Sequence, residues 1–343
     1  MNIVVLCGGI STEREISIKS GSMVCDGLRK AGHNAVLLDA FLGNDEADIF
    51  SDAKNNYQLK AEVERISSYN DQINTLKKER DNFFGKNVIE ICLRADIVFM
   101  ALHGKYGEDG LVQASFDLQG IKYTGCGHLA SAIGMDKGVT KQIFLSNGVP
   151  TPKSIWLKKG DETTLETIGM ELPVVVKACN GGSSVGVVIV KTEDEYEEAL
   201  ATCFALDNKV LIEQFISGRE FSVGVIEKKA LPVVEIIPKN GWYDYENKYL
   251  PGATKEVCPA EITEEQTQRM KKIAEDAYEA IGCEVYARAD IMMDKNGEMY
   301  CLEVNTLPGM TETSLIPMEA KSLGIEFPKL CDMLVEKSLK KYK

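Results

Sequence analysis

The stretch Tyr286-Ala-Arg-Ala-Asp-Ile-Met-Met-Asp-Lys-Asn-Gly-Glu-Met-Tyr-Cys-Leu-Glu-Val-Asn305 reads as two strands joined at Asn296-Gly297, the strongest short-range signal for a two-residue hairpin turn. With those two residues as the turn, Asp290 lies directly opposite Glu303 and Arg288 directly opposite Asn305, all four on one face by the two-residue period of a strand. Ala289, Ile291, Tyr300, Leu302 and Val304 then fall on the other face. Two carboxylates facing each other across a strand pair repel, so a fold that keeps them together needs a cation. Oxygen donors from few protein groups suit magnesium, which fills its remaining positions with water and substrate phosphates. A solvated hairpin face is the plainer reading, and the hairpin alone leaves the two evenly balanced.

Upstream, Pro173-Val-Val-Val-Lys177 reads as a buried strand carrying a lysine, followed by Gly181-Gly182-Ser183-Ser184-Val185-Gly186. Such a loop lets backbone amides approach phosphate oxygens, and a lysine at its base neutralises them. An ordinary tight turn would look similar. Gly182-Ser-Ser184-Val-Gly186 also fits the G-x-S-x-G nucleophile elbow of hydrolases, but that elbow needs a later histidine and the only histidines are His33, His103 and His128. Val210-Leu-Ile-Glu213-Gln-Phe-Ile216 reads as an apolar strand closing on polar residues, suited to lining an adenine and ribose pocket or to a plain sheet. Residues 240 to 256, with Trp242, Tyr243, Tyr245, Lys248 and Tyr249, fit neither period and read as a mobile lid or a surface loop.

At the amino end Ile3-Val4-Val5-Leu6-Cys7 reads as a buried strand, Thr12-x-x-Glu15 as a capping box, and Ile16, Met23, Val24 and Leu28 as the buried stripe of the next helix. Ala35 to Leu38 completes a βαβ unit, so a parallel sheet with helices on its faces is expected. The glycine turn lacks a full G-x-G-x-x-G, and a dinucleotide site is not supported. From about 43 to 95 the chain reads as polar surface helix without chemistry. Asp96 to Leu102 resumes the sheet and delivers His103-Gly104 to a strand's carboxyl end, where open α/β sheets place ligands. Tyr123-Thr124-Gly125 reads as another such edge, and Pro150 and Pro152 mark a boundary before alternating short strands, hairpins and helices.

A chain of 343 residues exceeds one ordinary core and suits two or three α/β units sharing a cleft. Its 44% hydrophobic and 27% charged residues are those of a soluble globular protein, with no run near the ~20 apolar residues of a membrane span. No signal-peptide core precedes the first strand. The ten cysteines are scattered without zinc or C-x-x-C spacing and read as reduced cytoplasmic thiols. A net charge of -13 argues against a nucleic-acid partner, and the one basic run, Lys340-Lys341 with Lys343, reads as a solvated tail.

In order, Gly8-Gly9-Ile-Ser-Thr-Glu13-Arg-Glu-Ile-Ser17, His103-Gly-Lys-Tyr-Gly-Glu-Asp-Gly110, Met135-Asp-Lys137, Lys177 with Gly182-Ser-Ser-Val-Gly186, Tyr243-Asp-Tyr-Glu-Asn-Lys248-Tyr249, Arg288-Ala-Asp290 and Glu303-Val-Asn-Thr-Leu-Pro-Gly309-Met-Thr-Glu-Thr-Ser314-Leu315 resemble the D-alanine:D-alanine ligases of the ATP-grasp superfamily. The resemblance spans nearly the whole chain. It implies an α/β ATP-grasp fold: an amino-terminal parallel-sheet (pre-ATP-grasp) domain over 1–130, a central subdomain over 131–212, and a carboxyl-terminal subdomain over 213–343 with a lid at about 240–256. The implied reaction phosphorylates one D-alanine with ATP; a second D-alanine then attacks the acyl phosphate, giving D-alanyl-D-alanine for peptidoglycan precursors.

The resemblance also implies residue roles. Lys137, Lys177, Gly182, Ser184, Glu213, Gln214, Phe215, Glu220 and Lys248 would hold the nucleotide, and Asp290, Glu303 and Asn305 two magnesium ions, manganese being the alternative. Arg288 and the Gly309 amide would form the oxyanion hole. Glu13 would bind the first substrate's ammonium, in a trio with Ser183 and Tyr249; His103 would lie near that substrate, and Ser314 and Leu315 would meet the second. Tyr249 and Leu315 favour D-alanine over D-serine or D-lactate. A homodimer in the cytoplasm, with no membrane or nucleic-acid partner, is the accompanying expectation. Gln214 departs from the lysine common there, and Asn180-Gly181 from the charged residues usual before the loop.

Overall fold

The computed structural model describes residues 1–51, 53–161, 164–182, 184–239, 241, 250 and 252–343. The chain divides into two compact units, one of Met1–Ser131, Cys283–Ala287 and Thr306–Lys343, the other of Ala132–Gly282 and Arg288–Asn305.

In the first unit β1 (Asn2–Cys7), β2 (Asn34–Asp39) and β3 (Ile97–Met100) form a parallel sheet in the order β2-β1-β3. Ile3 to Cys7 are fully buried, which is why β1 reads as an unbroken apolar run rather than an alternating one. Tyr123 adds a parallel bridge to Val98, and the Met100 amide donates to Thr124 Oγ1 at 3.0 Å, so the edge expected at 123–125 is present.

The following helix, Arg14–Lys30, differs from expectation in its start and its phase. Glu13 is its N-cap residue and makes no side-chain cap, so the capping box at Thr12 and Glu15 does not form. The buried face is Arg14, Ser17, Ile18, Ser20, Gly21, Val24, Cys25, Gly27 and Leu28; Ile16 and Met23 are only half-buried. Small and polar residues face the sheet because space and hydrogen bonding demand it. A Cβ on Gly21 would lie 2.7 Å from Cys7 Cβ, and Ser17 Oγ donates to the Ala101 carbonyl at 2.7 Å while accepting from the Gly8 amide at 2.8 Å.

The 43–95 stretch is more than surface helix. Phe50, Ala53, Ile66, Ile73, Val88 and Ile91 are buried, and Arg14 donates to Asn70 Oδ1 at 2.9 Å and to the Ile66 carbonyl at 3.3 Å. At the carboxyl terminus Lys340 and Lys343 are exposed as a solvated run would be, but Lys341 and Tyr342 are not. Lys341 Nζ donates to the Gly125 carbonyl at 2.8 Å over the Tyr123 ring, and the Tyr342 hydroxyl accepts from the Tyr123 amide and donates to its carbonyl.

The second unit holds two sheets. β4 (Ser154–Lys158), β5 (Val174–Ala178), β6 (Val187–Val190) and β7 (Lys209–Gln214) form an antiparallel sheet in the order β4-β7-β5-β6. Val174, Val176, Val190, Val210 and Ile212 pack there against Tyr196, Ala199 and Cys203 of the helix Glu193–Leu206, each full burial contributing ~1.5–3 kcal/mol for a Val or Ile. β8 (Gly218–Ile226), β9 (Lys229–Ala230), β10 (Val234–Pro238), β11 (Thr254–Val257), β12 (Tyr286–Asp294) and β13 (Met299–Asn305) form the other, ordered β11-β10-β8-β12-β13 with β9 on β8. The helix Glu264–Ala280, opened by a capping box of Thr263 and Gln266, packs across β8 and β13.

The β12–β13 turn is not the expected two-residue one. The Asp294 amide donates to the Glu298 carbonyl at 2.8 Å, which leaves Lys295, Asn296 and Gly297 as a three-residue loop with Gly297 at φ +83. The Asp294 carboxylate holds this loop by accepting from the Asn296 and Glu298 amides at 2.8 and 2.9 Å. Ile291 therefore pairs with Cys301, and the ladder shifts between Asp290 and Ile291, with Leu302 the extra residue, before Asp290 pairs with Glu303 and Arg288 with Asn305. The pairing at the four polar residues is the expected one; the facing of Tyr300 and Leu302 is not. Tyr300 pairs with Met292, and Leu302 joins Met292 in lining a cavity instead of sharing a face with Ile291.

Candidate active site

That cavity, of about 410 Å3, lies in the second unit. Val175, Val187 and Ile189 contribute apolar wall from the four-stranded sheet, and Ile236, Met292 and Leu302 from the six-stranded one. Among them stand the charged groups Lys137, Lys177, Glu213, Glu220, Asp290 and Glu303. An apolar slot with a few convergent charges is the form of a small-molecule site.

Lys177 projects from β5 and forms an ion pair with Glu213 of β7, whose other oxygen lies 3.0 Å from Lys141 Nζ. Burial alone would raise the Glu213 carboxyl, but Lys141 and Lys177 outweigh it and hold the group below the ordinary glutamate range. Burial would lower the Lys177 ammonium, but Glu213 overrides it and the net shift is upward. For Lys141, burial wins and the shift is downward. Lys137, at the start of the helix Lys137–Ser146, donates to the Gly181 carbonyl at 2.7 Å and lies 3.8 Å from Glu303 Oε2.

The loop between β5 and β6 is shaped by residues in the left-handed region: Gly181 at φ +128, Ser184 at +60 and Gly186 at +71. The positive φ favours glycine at 186, where a Cβ would press on the movable end of the exposed Leu206 side chain, 2.6 Å from Cδ1. Gly182 and Ser184 line the cavity, as do Gln214, Phe215 and Glu220. Ser183, Lys248 and Tyr249 lie outside the described residues, as does most of the expected lid at 240–256, which from Thr254 onward is β11.

Both Asp290 oxygens are engaged: Arg288 Nε and Nη2 donate to them at 2.9 and 2.8 Å, and Ser222 Oγ donates to Oδ1 at 2.9 Å. Glu303 faces Asp290 across the ladder and Asn305 faces Arg288. This register offers two carboxylates and an amide on paired strands, oxygen donors of the kind that suits a hard divalent cation such as magnesium.

A second polar group lies in the first unit. Ser11 Oγ donates to the His103 carbonyl at 2.7 Å and accepts from the Glu13 amide at 3.2 Å; the Glu13 carboxylate lies so close that a Cβ on Gly104 would be 2.7 Å from its Oε2. The His103 ring is buried between Ser20 Oγ, 3.1 Å from Nε2, and Glu108 Oε1, 3.4 Å from Nδ1. Also in this unit, the Thr311 amide donates to Ser314 Oγ at 3.0 Å, and Ser314 stands at the N-cap position of the helix Leu315–Ser322 without a side-chain cap. A Cβ on Gly309 would come within 3.0 Å of Ser314 Oγ, and Leu315 is buried at 7% exposure. Glu13 thus lies against Gly104 and is linked to His103 through Ser11, Gly309 lies beside Ser314, and Asp290 pairs with Glu303.

The descriptions "D-ala D-ala ligase N-terminus" and "D-ala D-ala ligase C-terminus" match residues 2–126 and 143–336. The chain belongs to the D-alanine–D-alanine ligase family. It is similar to the D-alanine–D-alanine ligase of Pediococcus pentosaceus, 41% identical with 98% of this chain and 97% of that one covered, and to that of Lacticaseibacillus casei, 40% identical with 100% and 97% covered. Among solved structures, the Bacillus anthracis ligase complexed with ATP matches with a TM-score of 0.75 at 33% identity, covering 99% of this chain and 97% of that one. Another structure of the same Bacillus anthracis ligase gives 0.77 at 35%, covering 99% and 98%. The fold is accordingly the ATP-grasp α/β fold.

Sequence reasoning missed two features of the ligase cavity. Arg219 forms a two-pronged ion pair with Glu235, at 2.6 and 2.8 Å, on adjacent strands lining it. Lys141 reaches Glu213 without lining the cavity at all. The second carried a signal, since Lys141 follows Lys137 by one helical turn on the same face; the first depends on a strand pairing that no local pattern announces.

Proposed function

We propose that this chain joins two D-alanine molecules at the expense of ATP, through a D-alanyl phosphate, and so supplies a peptidoglycan precursor. The observation that carries this is the cavity in which apolar walls meet Lys137, Lys177, Asp290 and Glu303, in a chain matched over its length by D-alanine–D-alanine ligases. Adenine fits between the aliphatic walls beside Gln214 and Phe215, and Glu220 suits the ribose hydroxyls. Lys137, Lys177 and the amides around Gly182 and Ser184 face the phosphates. Asp290, Glu303 and Asn305 would hold two magnesium ions, or manganese, which when bound neutralise charge on the transferred phosphoryl group. Arg288, fixed by its pair with Asp290, and the Gly309 amide are assigned to the oxyanion of the tetrahedral intermediate.

Glu13 and His103 are assigned to the first D-alanine, with Ser183 and Tyr249 completing the trio at Glu13. Ser314 and Leu315, at the start of a helix, suit the carboxylate and methyl of the second. Lys248 is assigned to the phosphates. The two sheets of the second unit support its division near 212 into two lobes, with the amino-terminal domain over 1–130. A homodimer in the cytoplasm, using no membrane or nucleic acid, completes the reading.

The test is ADP release by purified protein with ATP and magnesium, offered D-alanine alone, D-alanine with D-serine or D-lactate, and L-alanine, with products identified by mass. Dominant D-alanyl-D-alanine supports the whole reading. A mixed product overturns the assignment of specificity to Tyr249 and Leu315, and ATP binding without turnover overturns the ligase reading.

A further inference from the structure

Lys141 has a side chain only 3% exposed, in the helix Lys137–Ser146, and it stands behind Glu213 as seen from the cavity that Glu213 and Lys177 line. Its ammonium is held in one place: Nζ is 3.0 Å from Glu213 Oε2, donates to Thr151 Oγ1 at 2.7 Å and reaches the Cys301 carbonyl at 3.4 Å. Thr151 is fixed in turn by donating to that carbonyl at 2.8 Å. Glu213 therefore divides its oxygens between two lysines, Oε1 to Lys177 and Oε2 to Lys141.

Burying a charge this deeply costs more than packing a methionine or leucine of similar volume, so packing alone does not account for a lysine here. Its charge does. Lys177 and Glu213 by themselves sum to zero, and Lys137 has Glu303 3.8 Å away. With Lys141 the trio is net positive, and the surplus faces the cavity through Lys177. We infer that Lys141 is a positioning residue for the polyphosphate: it neutralises Glu213 from behind and leaves the charge of Lys177 to the phosphates. This rests on the proposed reading of the cavity as the ATP site.

The experiment is calorimetric titration of the full-length protein with ATP and magnesium, and separately with adenosine, for wild type, K141M and K141M/E213Q. The ratio of the two affinities isolates the phosphate contribution, because any altered adenine contact at position 213 affects both ligands. K141M is expected to lower the preference for ATP about ten-fold, equal to about 1.4 kcal/mol. Adding E213Q removes the uncompensated carboxylate and is expected to return the preference to within about three-fold of wild type. In turnover, the KM for ATP rises in K141M while that for D-alanine does not.

A K141M change below about three-fold, or a double variant no better than K141M, overturns the inference. Where K141M fails to fold by circular dichroism, the double variant decides alone: a wild-type preference supports the inference, and a lost preference or a second failure to fold overturns it. A wild type that shows no preference for ATP overturns the nucleotide reading itself, and this inference with it; a wild type that prefers ATP separates the two.

Discussion

Asp290 stands directly opposite Glu303 because the residue added by the three-residue turn is cancelled by the bulge at Leu302. The bulge brings two adjacent side chains of β13, Leu302 and Glu303, to the cavity, one apolar and one charged. Bulges re-aim side chains in this way beside functional sites. If the pair holds the metal, Asp290→Asn and Glu303→Gln each lower kcat at least about a hundred-fold, because even residues one shell removed from a metal cost ten- to a hundred-fold. The melting temperature should change little. Steady-state ADP release beside thermal melts checks this, and near-normal turnover in either variant removes the metal assignment.

Gly104 sits at φ +68 with the Glu13 carboxylate against it. Gly104→Ala strains the backbone by about 1–2 kcal/mol and pushes Glu13 aside. The expected outcome is a KM for D-alanine raised about ten-fold, with ATP affinity by calorimetry unchanged. An unchanged D-alanine KM would show that Glu13 does not serve that substrate.

Nine of the ten cysteines are buried and only Cys258 is half-buried. Burial pushes the Cys25, Cys179 and Cys301 thiols up to about 12 and leaves almost no thiolate at neutral pH. In native protein a single thiol should react quickly with a colorimetric disulfide reagent, and all ten in denaturant. Several fast thiols in the native state would mean that these interiors open readily.

Glu213 is held below the ordinary glutamate range by Lys141 and Lys177 against the cost of its burial. A carboxyl whose folded pKa is depressed contributes stability above its unfolded pKa, about 4.3, and loses it as pH falls through the folded value. Thermal melts stepped downward from about pH 6 should show wild type losing stability below the usual glutamate range more steeply than Glu213→Gln. Parallel curves would mean that the trio does not stabilise the fold.

The sequence by itself determined the parallel sheet at the amino end, since an unbroken apolar run such as Ile3–Cys7 is stable only with both faces covered. It determined the polar face of the β12–β13 hairpin, because a period of two and a glycine turn are local properties. The pairing of Asp290 with Glu303 was legible, although through a two-residue turn that does not form; Asp294 capping the loop and Leu302 bulging out of the ladder are decided by hydrogen bonds and by packing on the far side of the sheet. Only the tertiary structure placed Ser17 and Gly21 against the sheet, because hydropathy cannot register a close approach or a satisfied hydroxyl. Only it joined Lys141 to Glu213 and Arg219 to Glu235, because the charge of a side chain is written in the sequence but its partner is set by which strands and helices meet.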